Sequence, residues 1–194
     1  ETMSEDELTK LISETNAQVQ KLEQRKNELS SQLNALKDTA DKNEKAAEIA
    51  KQNAQTNGIL SGRLAATGEG VVIRISQGSK QKIDSAILFT LLEELRNSGA
   101  EVIEINNVRV VTSTYISGTA GSLVCDGTKL KSPFTIRAIG DSDNLQNAVN
   151  LAGGVGSRLK VKYGATVSVS PSDKVMIKST RQAPQYTYAH VIGQ

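Results

Sequence analysis

The sequence predicts an α+β protein. A long N-terminal coiled-coil helix leads into a ferredoxin-like α+β domain with a mainly antiparallel sheet. Three observations carry this. An apolar heptad runs from Leu8 to Leu36, and no Pro or Gly precedes Gly58. Residues 98–141 alternate short β-rich runs with tight-turn residues. Helical periodicity returns in three segments between strand-like runs. Helices gathered on one face of an antiparallel sheet bury the apolar sides of both. The expected division is a coiled-coil helix over 1–57, a linker over 58–65, the α+β domain over 66–178 and a polar tail over 179–194.

The first helix opens at Ser4-Glu5-Asp6-Glu7. Ser4 and Glu7 have capping-box spacing, and the acidic turn suits the positive end of the helix dipole. Taking the three-residue step as a to d, Ile12, Val19, Lys26 and Leu33 occupy a, while Leu8, Thr15, Leu22, Leu29 and Leu36 occupy d. β-branched residues at a with Leu at d favour a two-stranded parallel coil, and a lysine at one a position costs stability while fixing register. The same frame continues through Ala40, Asn43, Ala47, Ala50 and Ala54, where the core residues become small. A helix over 1–57 is about 80 Å long. Asn57-Gly58 is read as its end. The competing reading folds this helix back on the domain. The e and g residues Asn16, Gln18, Glu23, Arg25, Ser30 and Gln32 leave homodimer against heterodimer open.

Within the domain, residues 71–76 (VVIRIS) read as a strand. Ile83, Ile87, Leu88, Leu91, Leu92 and Leu95 form one face of a helix over 83–97, closed by Gly99. Val102–Ile105 and Val108–Val111 are strands joined by Asn106-Asn107, a two-residue hairpin loop. Asp126-Gly127 marks a second turn. Pro133 opens an alternating strand over 134–139, as suits the first residue of a strand. Asp141 caps a short helix, Gly153-Gly154 breaks it, and a further helix spans 155–163. A hairpin of 166–169 and 174–177 around Pro171-Ser172-Asp173 closes the domain.

Composition excludes several functions. Aromatics are 3% with no Trp, too few for base- or glycan-stacking platforms. Residues 1–57 carry 8 basic and 11 acidic side chains, and the remainder 15 and 10. That gives −3 and +5, too mild for a nucleic-acid footprint, so no nucleic-acid partner is expected. The single cysteine, Cys125, has no disulfide or metal partner and reads as a small buried residue. The single histidine, His190, stands in the tail, so no nucleophile–base pair is expected. Asp141-Ser142-Asp143 begins like a calcium loop but lacks its glycine and closing acid. No catalytic residue, metal site or cofactor is expected.

Two sets of residues remain as candidate binding groups. Gly153-Gly154-Val155-Gly156 opens a helix and is either an anion cradle or a helix-to-helix turn. Arg74, Arg109 and Arg137 lie in strand patterns. Asn106, Thr112 and Ser113 stand near Arg109, and on one sheet face these groups would make an anion or peptide site. The competing reading is that the arginines pair with acids across strands.

The motifs also carry a resemblance. Gly68-Glu69-Gly70-Val71-Val72, the run from Leu91 to Glu101 (LLEELRNSGAE), Ile105-Asn106 with Arg109-Val110 and Thr112, Pro133-Phe134 through Gly140-Asp141, Gly153-Gly154-Val155 and Tyr163-Gly164 together resemble a bacterial family of unknown function typified by the YlxW and YlxX proteins of Gram-positive bacteria. One departure is Ser142, where many relatives have Pro. The resemblance covers residues 66–178. It implies an N-terminal membrane helix, a coiled coil, and this domain on the outer face of the cytoplasmic membrane. It further implies a single-pass envelope protein, cut here after its anchor, in a setting linked to cell division or wall synthesis. The expected function is a non-catalytic scaffold or docking module. It would self-associate through residues 1–57 or pair with a partner helix, and would engage division or wall-synthesis proteins. The alternative is a ligand-binding sensor domain recognising a small anion or peptide.

Overall fold

The computed structural model describes residues 3–193. Its contacts divide the chain into two units, one ending at Asn53 and one beginning at Ala54.

The first unit is helical. Helix α1 runs unbroken from Glu5 to Leu60. Its start is the expected capping box: the Ser4 amide donates to Glu7 Oε2 at 3.0 Å and the Glu7 amide to Ser4 Oγ at 3.4 Å. The heptad residues form an uncovered stripe, with Leu22 69% and Leu36 68% exposed.

The second unit begins within the last turns of α1. The helix does not stop at Asn57-Gly58, because Gly58 is there for contact. It is buried in the helix, and a Cβ on it would meet the Leu64 side chain at 2.5 Å. The stop comes at Gly62, which takes φ +75° and donates to Ile59 O, as a left-handed cap residue does. Arg63 and Leu64 amides then both donate to Gly58 O. Within the segment expected as a linker, Gly58 and Gly62 are buried and the other residues are exposed.

Strand β1 (Ala66–Ser76) leads to helix α2 (Ser85–Asn97), strands β2 (Val102–Ile105), β3 (Val108–Arg109), β4 (Ile116–Thr119), β5 (Ser122–Cys125), β6 (Thr128–Leu130) and β7 (Phe134–Ile139), helices α3 (Ser142–Asn150) and α4 (Val155–Val161), and strand β8 (Thr166–Ile177). The main sheet has the order β3-β2-β7-β1-β8, and all its pairs are antiparallel. Without β3 and the β4–β6 insertion, and with α3 and α4 taken as one helical unit, the sequence is βαββαβ and the order is the ferredoxin-like 4-1-3-2. The insertion between β3 and β7 is a three-stranded meander, β4-β5-β6. It is one strand longer than a hairpin because Ala120-Gly121 also turns the chain, pairing Thr119 with Ser122.

Local chemistry explains the turns and caps. Asn106 and Asn107 have φ of 45° and 64°, and Asp126 and Gly127 have 47° and 86°. Both pairs are two-residue loops with positive φ at each centre, the geometry matching strand twist. Asp84 caps α2 by accepting from the Ile87 amide, and Asp141 caps α3 by accepting from Asn144. The second carboxylate oxygen of Asp84 accepts from Tyr163 Oη at 2.7 Å, tying the end of α4 to the start of α2. Burial, that bond and the Asp84 charge push the Tyr163 phenol up to about 12.

The core lies between the sheet and α2, α3 and α4. Val71, Ile73 and Ile75 of β1 meet Leu88, Leu91 and Leu95 of α2, with Leu145 and Leu159 beside them. The period of two then sends alternate residues to the other face. There Val102, Ile139, Val175 and Ile177 form a second, smaller apolar cluster.

The closing element differs as well. Residues 166–169 and 174–177 are not two arms of a hairpin. They are the ends of a single strand, β8, paired along β1 from Ser76↔Thr166 to Ala66↔Ile177. Pro171 sits opposite Val71 inside this run. Pro lacks a ladder donor, but β8 is the outer strand of the sheet, where proline is tolerated. The irregularity is taken up by a register shift between Gly68 and Gly70.

Candidate binding groove on the open face of the sheet

The face turned away from the three helices carries a cross-strand row. Glu104 is directly opposite Arg109 on β3 and Arg137 on β7, and Arg137 is opposite Val72 on β1. All three strand arginines thus share one face, with Arg74 exposed two positions beyond Val72 on β1 and an acid between Arg109 and Arg137. Their roles differ.

Arg109 is 2% exposed. Its Nη1 donates to Leu64 O at 2.8 Å and Ser179 O at 3.0 Å, and its Nη2 to Ile59 O at 2.9 Å. It therefore caps the C-terminus of α1, whose last turn has no basic residue of its own. A cation there complements the negative end of the helix dipole. Burial lowers the Arg109 pKa, and the charge of Glu104 works against that. Arg181 continues the knot. It donates to Arg109 O and Thr114 Oγ1 and pairs with Asp126, while its amide donates to Gly62 O. Burial acts to raise the Asp126 carboxyl, but bonds from Arg181, Thr114 and the Tyr115 amide overcome it and hold its pKa below the ordinary value.

Arg137 instead lines a groove. Its Nη1 donates to Glu104 Oε1 at 3.0 Å, and Ser179 Oγ donates to Glu104 Oε2 at 2.5 Å. Both oxygens of the buried carboxylate are engaged, which is what a buried charge requires. The groove has a volume of about 650 Å3 and is walled on its other side by Lys174, Met176 and Lys178. Its charge is positive: three cations, Arg137, Lys174 and Lys178, against one acid, Glu104. An arrangement of this kind recognises anions through a preset guanidinium edge and flanking ammonium groups.

The remaining candidate residues are elsewhere. The Asn106 side chain donates to Lys131 O at 2.9 Å and accepts from the Thr135 amide at 2.8 Å, so it ties two loops together. Thr112 is exposed in the turn after β3. Gly153 and Gly154 form the turn between α3 and α4, with Gly153 at φ +74°. The structure does not bring these residues together into one site. Lys174 and Lys178, absent from the sequence-derived set, carry a signal that was present: cations two positions either side of Met176 along one extended segment. Among the described residues, no group of three or more His, Cys, Asp or Glu side chains is placed to hold a metal ion, and no helix is long and apolar enough to cross a membrane.

Cys125 is fully buried in β5. Burial first, then the neighbouring Asp126, pushes its thiol up to about 11. A thiol reacts through its thiolate, so native protein should resist Ellman's reagent at neutral pH and react with one equivalent after unfolding in guanidinium. Rapid labelling of native protein at pH 7 would contradict this burial.

Comparison with known proteins places these features in a family. UPF0749 protein Rv1825 of Mycobacterium tuberculosis is 34% identical over 169 residues, which are 85% of this chain and 57% of the relative. UPF0749 protein YlxW of Bacillus subtilis is 30% identical over 126 residues, 60% of this chain and 54% of the relative. YlxX of the same organism is 31% identical over 147 residues, 68% and 63%. The chain thus spans little more than half the length of the first two. A crystal structure of an uncharacterized conserved protein from M. tuberculosis superposes with a TM-score of 0.65 at 35% identity, covering 72% of this chain and 99% of that one. Residues 53–190, nearly the whole of the second unit, match the model of a bacterial family of unknown function, and the chain belongs to that family, DUF881.

Proposed function

We propose that this chain is a non-catalytic scaffold that pairs with a second copy of itself through α1 and presents its α+β domain as a docking module. The exposed heptad carries the reading. Ile12, Val19, Leu29 and Leu33 are each about half exposed along one stripe of α1. Such a stripe gains stability only by burial against another helix. The residue types at a and d favour two parallel strands. In that pairing each g residue meets the e residue five positions on in the other copy. Gln18 then meets Glu23 and Arg25 meets Ser30, with no like-charge pair. The single histidine in the exposed tail and the buried thiol support the non-catalytic part. The family resemblance supports an envelope location on the outer face of the cytoplasmic membrane and a role in division or wall synthesis.

Sedimentation equilibrium on the whole chain tests the pairing. A dimer is expected. Leu22→Glu together with Leu29→Glu should give a monomer with an unchanged domain, because both lie outside the unit beginning at Ala54. Lys26→Ile should tighten the dimer. A wild-type monomer at every concentration would remove self-association from the reading. In the native host, deletion should disturb septation; normal septa and unaltered placement of division proteins would remove that part.

A further inference from the structure

We infer that the groove on the open face takes an extended acidic segment of a partner protein, with two acids four residues apart and an apolar residue midway. The inference rests on the docking-module reading, and it names what docks and where.

The argument starts from Glu104. A carboxylate 3% exposed is costly unless fully bonded, and here it fixes one edge of Arg137 through Nη1. No other hydrogen bond from the Arg137 guanidinium is made among the described residues. The side chain is still 34% exposed, and it lines the groove. An oriented, half-buried guanidinium with donors to spare is a preset anion receptor.

The opposite wall decides the shape of the anion. Val175 and Ile177 turn into the second apolar cluster. Val175 shares the open face with Val102 and Ile139 and lines the groove, and Lys174, Met176 and Lys178 line it beside Val175 along the outer edge of the sheet. On an extended segment Lys174 and Lys178 are about 13 Å apart at ~3.3 Å per residue. Met176, 48% exposed, lies between them. Small-molecule sites enclose most of their ligand. This trough is open along its length, with charge at both ends of one wall and apolar surface in the middle. An extended acid–x–apolar–x–acid segment repeats at the same spacing. Lysines near a sheet edge also discourage pairing with a like strand, and they leave a segment of opposite charge as the one the wall accepts.

The test uses the whole chain and a fluorescein-labelled, capped heptapeptide, Ser-Glu-Thr-Leu-Thr-Glu-Ser, with a counterpart carrying lysine for glutamate. Fluorescence polarisation should show saturable binding of the acidic peptide only. Lys174→Glu with Lys178→Glu should weaken it at least about tenfold and confer binding of the lysine peptide, as reversal of complementary charge does. Both lysines are exposed, so the fold should survive, and urea unfolding checks this. Arg137 is left intact because its loss would strand Glu104. The Leu22→Glu, Leu29→Glu variant should bind the peptide as wild type does, so a failure of coil pairing and a failure of the groove are read separately. Equal binding of the two peptides, or no binding of either, overturns the inference. So does full displacement by inorganic pyrophosphate at equal occupancy, which would make this a small-oxyanion site. Binding to phosphatidylglycerol vesicles that the charge reversal abolishes, without peptide binding, would make it a membrane face and overturn it as well.

Discussion

Arg109→Ala is expected to destabilise the unit beginning at Ala54 by about 3–5 kcal/mol, the range for breaking a buried charged network by removing one member. Three chain segments meet at this guanidinium: the end of α1 through Ile59 O, the lead into β1 through Leu64 O, and the segment after β8 through Ser179 O. Alanine leaves these carbonyls without that donor at a site 2% exposed to water. It also removes the cation opposite Glu104 on β3. Each orphaned buried acceptor costs ~1–3 kcal/mol, so the sum reaches the stated range even with partial relaxation. Arg109→Lys should recover only part of the loss, since one ammonium cannot reproduce the planar fork that spans Ile59, Leu64 and Ser179. Urea unfolding followed by circular dichroism measures both. A loss below about 1 kcal/mol for alanine would show that the three segments are held by other means. The same geometry sets where the domain can be cut. A fragment beginning at residue 66 lacks Ile59 and Leu64, so it removes two of the three partners of Arg109.

Why Arg109 was not legible as a cap is a matter of what its partners are. Backbone carbonyls leave no mark in a sequence, and 45 to 70 residues separate donor from acceptor. Features whose partners are local were legible. Ser4 with Glu7, the Asn106-Asn107 and Asp126-Gly127 loops, the Asp141 cap and the apolar face of α2 each involve residues a few positions apart, and the structure has all of them. Errors arose where one residue type serves two purposes. Gly58 and Gly62 both suit a helix end, and only the contact with Leu64 assigns packing to the first and positive φ to the second. Pro171 reads as a turn residue, yet the edge position of β8 accommodates it within a strand. The site divides in the same way. Period-two alternation around Arg137 was readable within its own strand. The Asn106-Asn107 hairpin already sets Glu104 opposite Arg109, but its pairing with Arg137 on β7 is long-range, which the alternation does not encode.

The Gly153–Gly156 turn gives the second large effect and separates a packing role from an anion-binding one. Gly156 is buried in α4, and a Cβ on it would lie far inside van der Waals contact of the Val149 backbone carbonyl of α3. Backbone cannot yield as a flexible side chain can, so Gly156→Ala forces α3 and α4 apart and should cost about 3 kcal/mol, the upper part of the usual overpacking range. Gly153 has φ +74° but open space around its Cβ. Gly153→Ala therefore carries only the left-handed penalty of ~1–2 kcal/mol. Gly154 has an ordinary φ of −79°, and its Cβ would meet Leu151 O at 3.0 Å and Leu151 Cβ at 3.3 Å. A shift of a few tenths of an ångström in the turn absorbs that, so Gly154→Ala should be the mildest of the three. Thermal unfolding with and without inorganic phosphate reads both roles at once. Helix–helix packing predicts the order 156, 153, 154 with no phosphate dependence in any variant. An anion cradle predicts that phosphate stabilises the wild type and that the alanines at 153 and 154 abolish this. The packing order is the expected result, because the glycine closest to a neighbouring backbone is the one that lets α4 lie against α3 and keeps Leu159 in the core beneath the sheet.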